Sequence, residues 1–284
     1  LLPLYLNLNT MIKKGRLENQ KDNIIKDYLS GKGITVLGKL YNTSPSTISY
    51  LLKRHSVQLN EGSKSNVKGN PFKDLNNPET QYWLGWLITD GNLHDKRINL
   101  IITEKDRDVL KNYCKFLNIS NNNILARKSQ NINWDICNTV RFGSKETYEF
   151  LINIGVTPNK SLTVNPSVNF TSDLIRGLIE GDGSIGIYNN KPKIVFSSSS
   201  IKIIEKYENF LSKNNINFSK YLDKNCKNPH WRISTICSNC LKLINLIYPN
   251  NCNLYCNRKY KKAMEIKETY PNYIKEQKLI LQNN

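Results

Sequence analysis

The sequence predicts a mixed α/β (α+β) chain of two pseudo-symmetric α-β-β-α-β-β-α halves, preceded by a small all-α unit. Three observations carry that prediction. The stretch Trp83-Leu84-Gly85-Trp86-Leu87-Ile88-Thr89-Asp90-Gly91 recurs as Ile175-Arg176-Gly177-Leu178-Ile179-Glu180-Gly181-Asp182-Gly183. Landmarks outside these copies repeat at a drifting offset: Asp90 and Asp182 are 92 positions apart, Tyr113 and Tyr207 94, Phe116 and Phe210 94, Trp134 and Trp231 97. Such drift is what small loop insertions do to a duplicated module. Between and after the copies, helix-period stretches alternate with β-rich runs bounded by turn residues.

Residues 1–19 read as an N-terminal extension, with Met11 a candidate initiator, and 20–57 as three short helices. Ile24, Ile25, Tyr28 and Leu29 form the inner face of the first, which Gly31-Lys32-Gly33 ends. Ile34 to Leu40 makes the second, Tyr41-Asn42-Thr43 the turn, and Ser44-Pro45 the cap and first-turn proline of a third helix, Ser46 to His55. Residues 58–73, rich in Asn, Gly, Ser and Lys, read as a flexible tether.

Residues 74–170 form the first half. Asn77 and Pro78 open its motif helix; then come a hairpin from Asn92 to Glu104 and a helix from Asp106 to Leu117. Strands near Ile124 to Arg127 and Trp134 to Phe142 follow, then a helix Lys145 to Ile154. Residues 171–284 form the second half, opened by Thr171, Ser172 and Asp173. Strand Lys193 to Ser197, helix Ile201 to Leu211, strand Trp231 to Ile236 and helix Asn239 to Ile247 repeat the order. Lysines from Lys259 to Lys278 read as a basic tail, a solvated helix or a phosphate contact.

The two copies explain one another as facing helices. A helix apolar on most sides expects burial, and Gly85 and Gly177 allow close approach. Gly91 and Gly183 suit the left-handed residue that ends a helix. Asp90 and Asp182 then arrive together at one end of the interface, and paired carboxylates invite a hard divalent cation with oxygen ligands.

These two nine-residue motifs resemble those of the LAGLIDADG homing endonucleases, the type with both motifs in one chain. Ile88 and Glu180 occupy the family's first acid position, Asp90 and Asp182 the metal-binding one, and Trp86 and Arg176 places usually aliphatic or small. The resemblance extends from Asp74 to about Ile266 and implies antiparallel, saddle-shaped sheets on a DNA major groove. It implies a site-specific double-strand endonuclease using Mg²⁺ or Mn²⁺, with Asp90, Asp182, Gly91 and Gly183 around the metal. The basic residue following the last helix of each half is Lys160 in Thr157-Pro158-Asn159-Lys160-Ser161 and Lys259 in Tyr255-Cys256-Asn257-Arg258-Lys259-Tyr260, with Arg258 a competitor. Glu104 and Ser198 are the nearest equivalents of the family's water-ordering residues. Arg127, Arg141, Lys193, Arg232 and Arg258 are the expected DNA contacts. The implied partner is a long asymmetric DNA duplex, bound by a monomer with pseudo-two-fold symmetry.

The front unit resembles a helix-turn-helix reader, whose third helix offers Ser46, Thr47, Ser49, Tyr50, Lys53 and Arg54 to phosphates and base edges. A bundle for protein contacts fits the same pattern. The charge supports the DNA reading: 41 Lys+Arg against 23 Asp+Glu gives +18, which calls for a polyanion. No apolar run approaches the length of a membrane span, no signal peptide is legible, and the seven cysteines read as reduced thiols inside a cell. Cys237, Cys240, Cys252 and Cys256 approximate zinc pairs, but the first two fall where a strand enters a helix. His55, His94 and His230 are scattered, which argues against a histidine nuclease. A nuclease-inactive DNA-binding regulator and an intron-RNA maturase share the pattern; an intein lacks its splicing ends.

Overall fold

The computed structural model describes residues 17–59, 67–127, 136–158, 161–223 and 228–271. The chain divides at residue 62 into two units. Among the described residues no helix is long and apolar enough to cross a membrane.

The first unit contains α1 (Lys21–Leu29), α2 (Ile34–Leu40) and α3 (Pro45–Arg54). Ile24, Tyr28, Leu37, Ile48, Leu51 and Leu52 fill its core. Leu29, expected inside, is 73% exposed; α1 ends there, and left-handed Gly31 (φ 102°) turns the chain away. Ser44 caps α3 by accepting from the Thr47 N–H at 3.1 Å. Its hydroxyl is also 2.8 Å from the Thr47 hydroxyl, so Thr47 belongs to the cap. Ser46, Tyr50, Lys53 and Arg54 are exposed and Ser49 half-buried.

The second unit begins inside the expected tether. Asn70 is buried, and the fully buried Phe72 meets Phe116 edge-on with centroids 5.1 Å apart. The apolar Phe72 ring anchors that end of the tether.

Each half then repeats one plan. The first has α4 (Pro78–Thr89), β1 (Gly91–His94), β2 (Arg97–Thr103), α5 (Arg107–Phe116), β3 (Ile124–Arg127), β4 (Cys137–Gly143) and α6 (Lys145–Asn153). The second has α7 (Ser172–Asp182), β5 (Ser184–Tyr188), β6 (Lys191–Ser198), α8 (Ile201–Lys213), β7 (Ser219–Asp223), β8 (His230–Ile236) and α9 (Cys237–Ile247). The antiparallel sheets have orders β1-β2-β4-β3 and β5-β6-β8-β7. Each opens with a two-residue hairpin turn whose residues have positive φ, Asp95-Lys96 (47° and 58°) and Asn189-Asn190 (50° and 58°). That geometry matches strand twist.

One face of each sheet is core. Ile98, Leu100, Val140 and Phe142 meet Val109, Leu110 and Tyr113 of α5; Ile194, Phe196 and Ile233 meet Ile203, Ile204 and Tyr207 of α8. The other face carries Asn99 opposite Arg141 in the first sheet, and Ser197 opposite Arg232 in the second.

A final helix, α10 (Asn257–Thr269), corrects the expected basic tail in its first part: Lys259, Ala263 and Ile266 are buried on one stripe, while residues 272–278 of that tail lie outside the described residues. An i, i+4, i+7 stripe buries one face of a helix whose other faces carry the lysines.

Candidate metal and nucleic-acid site

The site is set by how closely α4 and α7 approach. Asn77 starts α4 by accepting from the Glu79 N–H at 2.8 Å, and Thr171 starts α7 by accepting from the Leu174 N–H at 3.2 Å. Every residue from Thr80 to Ile88, and from Leu174 to Glu180, is buried. A Cβ on Gly85 would lie 2.9 Å from the Gly177 Cα, and one on Gly177 would lie 3.0 Å from the Gly85 Cα. Backbone therefore packs on backbone, as the two mid-helix glycines predict.

The same crossing joins the helix ends. A Cβ on Gly181 would lie 2.8 Å from Asp90 Oδ2 and would overlap the Thr89 side chain. The Asp90 carboxylate thus sits against the residue preceding Asp182. Asp90 is half-buried, with Thr89 Oγ1 3.1 Å from its Oδ2, and Asp182 is exposed. Gly91 and Gly183 do not take the left-handed conformation expected of them; Gly183 is extended (φ −87°, ψ 164°). They are required for space, because a Cβ on either would strike the backbone of Leu87 or Ile179. Each strand leaves its helix so sharply that its first residue lies against the last turn.

The oxygen chemistry suits a hard cation. Two carboxylates at two helix C-termini add their charge to the negative ends of both helix dipoles. Among the described residues no group of three or more His, Cys, Asp or Glu gathers, so remaining oxygens must come from backbone, water or ligand. Cys240 and Cys256 are buried, burial pushes each thiol up to about 12, and among the described residues neither belongs to a three-ligand cluster.

Lys259 reaches the end of α7. Lys259 is buried, and its ammonium donates to the carbonyls of Ile179 (2.9 Å), Glu180 (2.5 Å), Gly181 (3.0 Å) and Gly183 (2.8 Å). Burial holds it below the ordinary lysine range, while the nearby Asp90 charge acts against that. Three N–H groups serve four carbonyls, so this cation caps the helix. Arg258 makes a two-pronged pair with Asp106 at 2.9 and 2.6 Å, tying α10 to the start of α5 rather than reaching into the site. Lys160 lies outside the described residues.

Two groups gain partners that sequence reasoning did not assign. Glu180, buried in the helix interface, accepts from Tyr82 Oη at 2.5 Å, Tyr248 Oη at 2.9 Å and the Cys256 N–H at 2.8 Å. Burial nonetheless raises its carboxyl to about 7, against the pull of those donors. An acid inside an apolar helical run is itself the signal that partners await it. His230 was set aside as isolated, yet strand pairing brings it into the Asp182 cleft. That cleft, about 350 Å³, is lined by Asp182, Thr89, Ser197, Ser198, Ser199 and His230 among others. His230 Nδ1 lies 3.1 Å from Ser199 Oγ, and Ser198 Oγ accepts from the Ser200 N–H at 3.2 Å.

Glu104, the counterpart of Ser198, accepts from Asn138 Nδ2 at 2.6 Å. On the open faces, Arg141 Nε donates to Asn99 Oδ1 at 2.5 Å, Arg232 pairs with Asp223 at 2.6 Å, and Lys193 is half-buried opposite Gly186. Arg127 ends β3.

A duplicated α-β-β-α-β-β-α unit with facing Gly-packed helices and paired terminal acids defines a two-motif sheet-and-helix protein. Residues 169–246 match the family model described as a LAGLIDADG-like domain. No curated protein matches the chain. Among solved structures it is similar to I-DmoI in complex with DNA and Ca, at 14% identity and TM-score 0.44, covering 66% of this chain and 96% of that one. It is similar to the N-terminal LAGLIDADG domain of DUF199/WhiA, at 16% identity, TM-score 0.43 and 69% and 93% coverage. I-SmaMI bound to an uncleaved DNA target with calcium ions gives 10%, 0.43, 69% and 92%. Identities this low carry no residue roles across.

Proposed function

We propose that the chain is an endonuclease that cuts both strands of a long, asymmetric DNA site with a divalent cation, Mg²⁺ or Mn²⁺, held by Asp90 and Asp182. The observation that carries this reading is the Gly85–Gly177 crossing, which sets the Asp90 carboxylate against Gly181 and so beside Asp182. Nothing in a buried helix pair requires two acids at one end, where they repel one another and meet the negative ends of both helix dipoles. A bound cation supplies polarisation of water and neutralisation of charge on the phosphoryl oxygens. The chain's own groups orient: Asp90 and Asp182 fix the cation's position, and the Ser198, Ser199 and His230 cleft offers hydrogen bonds to water beside the phosphate.

The cation Lys259 holds the α7 terminus, and through it Asp182, in place. It acts on the reaction by position and by its charge near Asp90. The +18 charge supports a polyanion, and the sequence difference between halves supports an asymmetric target. The three-helix unit, with Tyr50, Lys53 and Arg54 exposed on α3, is proposed to extend the footprint as a helix-turn-helix reader.

The test is incubation with a randomised duplex library, with and without Mg²⁺, followed by sequencing of cut ends. Cleavage at one recurring site only with metal is expected. Enrichment of bound DNA without any cutting would make the protein a DNA-binding regulator, and retention of RNA in preference to duplex DNA would make it a maturase.

A further inference from the structure

The open faces of the two sheets differ in kind. In β1 to β4 the only aromatic residue is Phe142, which is buried in the core. In the second sheet Tyr188 and Tyr221 are 51% and 43% exposed. The Tyr188 ring folds back along its own strand onto Gly186: a Cβ there would lie 2.9 Å from Tyr188 Cε2. Glycine at that position gives the ring a resting place on the sheet. Lys193 stands opposite Gly186, and Tyr221 stands opposite Arg232. Tyr188, Lys193, Tyr221 and Arg232 line a cleft of about 470 Å³ together with Val195 and Asp182.

An apolar pad flanked by two cations is chemistry for base edges. In the major groove the thymine methyl takes apolar contacts, while guanine N7 and O6 take Lys or Arg. A purely phosphate-holding surface needs the cations but not the rings. Asp223, 2.6 Å from the Arg232 guanidinium, holds that fork in one orientation, which favours a fixed base edge over a mobile phosphate.

Resting on the endonuclease reading, we propose that this cleft is the base-reading site of the second half, recognising thymine next to guanine beside the Asp182 cut. The thymine methyl packs on Tyr188, Tyr221 and Val195; Lys193 and Arg232 take the guanine. The first half presents Asn99 and Arg141 for hydrogen bonds and, in place of rings, the exposed aliphatic Leu125 opposite Thr139.

The experiment is a binding selection from a randomised duplex library without Mg²⁺, using the full chain. Tyr188→Ala and Tyr221→Ala should erase a thymine preference at one or two positions and leave the rest of the site unchanged. Arg232→Gln should lower a guanine preference there by about tenfold. With wild-type protein, deoxyuridine in place of those thymines should weaken binding about fourfold, the worth of one buried methyl, and Tyr188→Ala should be indifferent to the exchange. Identical preferences for all variants, or full tolerance of deoxyuridine by the wild type, would overturn the inference. So would tighter binding of the selected sequence as a single strand, which would mean that the rings stack unpaired bases. Failure of the wild type to enrich any duplex would instead strike down the endonuclease reading itself.

Discussion

The two motif helices end in the same two residue types but in different surroundings. At Ile88-Thr89-Asp90-Gly91 the interface position is apolar, and Asp90 is half-buried beside Thr89. At Glu180-Gly181-Asp182-Gly183 the same position holds a buried acid met by two tyrosines and a backbone N–H, and Lys259 caps the turn, leaving Asp182 exposed. The difference teaches that the halves share a scaffold without sharing supports. The second terminus is fastened to the C-terminal helix, whereas in the first the acid is steadied by its own neighbour and by the partner helix.

The largest test of that shared scaffold is the crossing itself. Gly177→Ala presses a methyl onto the Tyr82 carbonyl and the Gly85 Cα, and should cost about 3 kcal/mol or more, since the obstacle is backbone and overpacking there has no rotamer to relieve it. Thermal melting checks this; an unchanged melting temperature would mean the helices are not in contact. Gly85→Ala should behave alike, because the crossing is symmetric.

Next come the acids. Asp90→Asn and Asp182→Asn preserve shape and remove one charge each, so cleavage should fall about a hundredfold or more while binding persists, the loss of one ligand to a cation worth several kcal/mol. Because Asp90 lies against Gly181, either substitution should suppress both cuts. The measurement follows nicked and linear products from a supercoiled plasmid bearing the selected site. Wild-type rates of linear product from both variants would remove the acids from the chemistry.

Lys259→Met separates the two termini. It takes the ammonium away from four carbonyls in the second half only, of which Ile179 keeps the Gly183 N–H, and should cost about 2 kcal/mol of stability, the upper end for a cation at a helix C-terminus. Cleavage of the strand served by Asp182 should fall first. Full stability with lost cleavage would instead give the amine a purely chemical role.

The smallest effect is expected at Glu180. Glu180→Gln keeps its acceptor toward Tyr82 and the Cys256 N–H, and its amide can donate to the Tyr248 hydroxyl, which rotates to accept. Its pH signature is informative. The folded carboxyl titrates near 7, above its ordinary 4.5, so the folded state holds its proton more tightly than the unfolded one. Stability from this group is therefore greatest below pH 4.5, declines as pH rises toward 7, and is level above that. In the Gln variant that slope should vanish from chemical denaturation measured across pH 4.5 to 7. A slope that persists would assign the titration to another group.

What the sequence determined by itself is local or repeated. The caps at Asn77, Thr171 and Ser44, the glycines at 85 and 177, and the duplication were legible because each depends on a few neighbouring residues or on self-similarity. The sequence also named both acids. Only the tertiary structure decided how these parts are supported. It drew His230 into the Asp182 cleft by strand pairing, buried Lys259 against carbonyls about eighty positions earlier in the chain, tied Arg258 to Asp106, and packed one stripe of α10 on the core. It also gave Gly91 and Gly183 a reason other than their backbone angles. Each of these rests on contacts between segments far apart in the chain, where hydrogen-bond geometry and the room left by a missing Cβ choose the partner, and no local pattern records that choice.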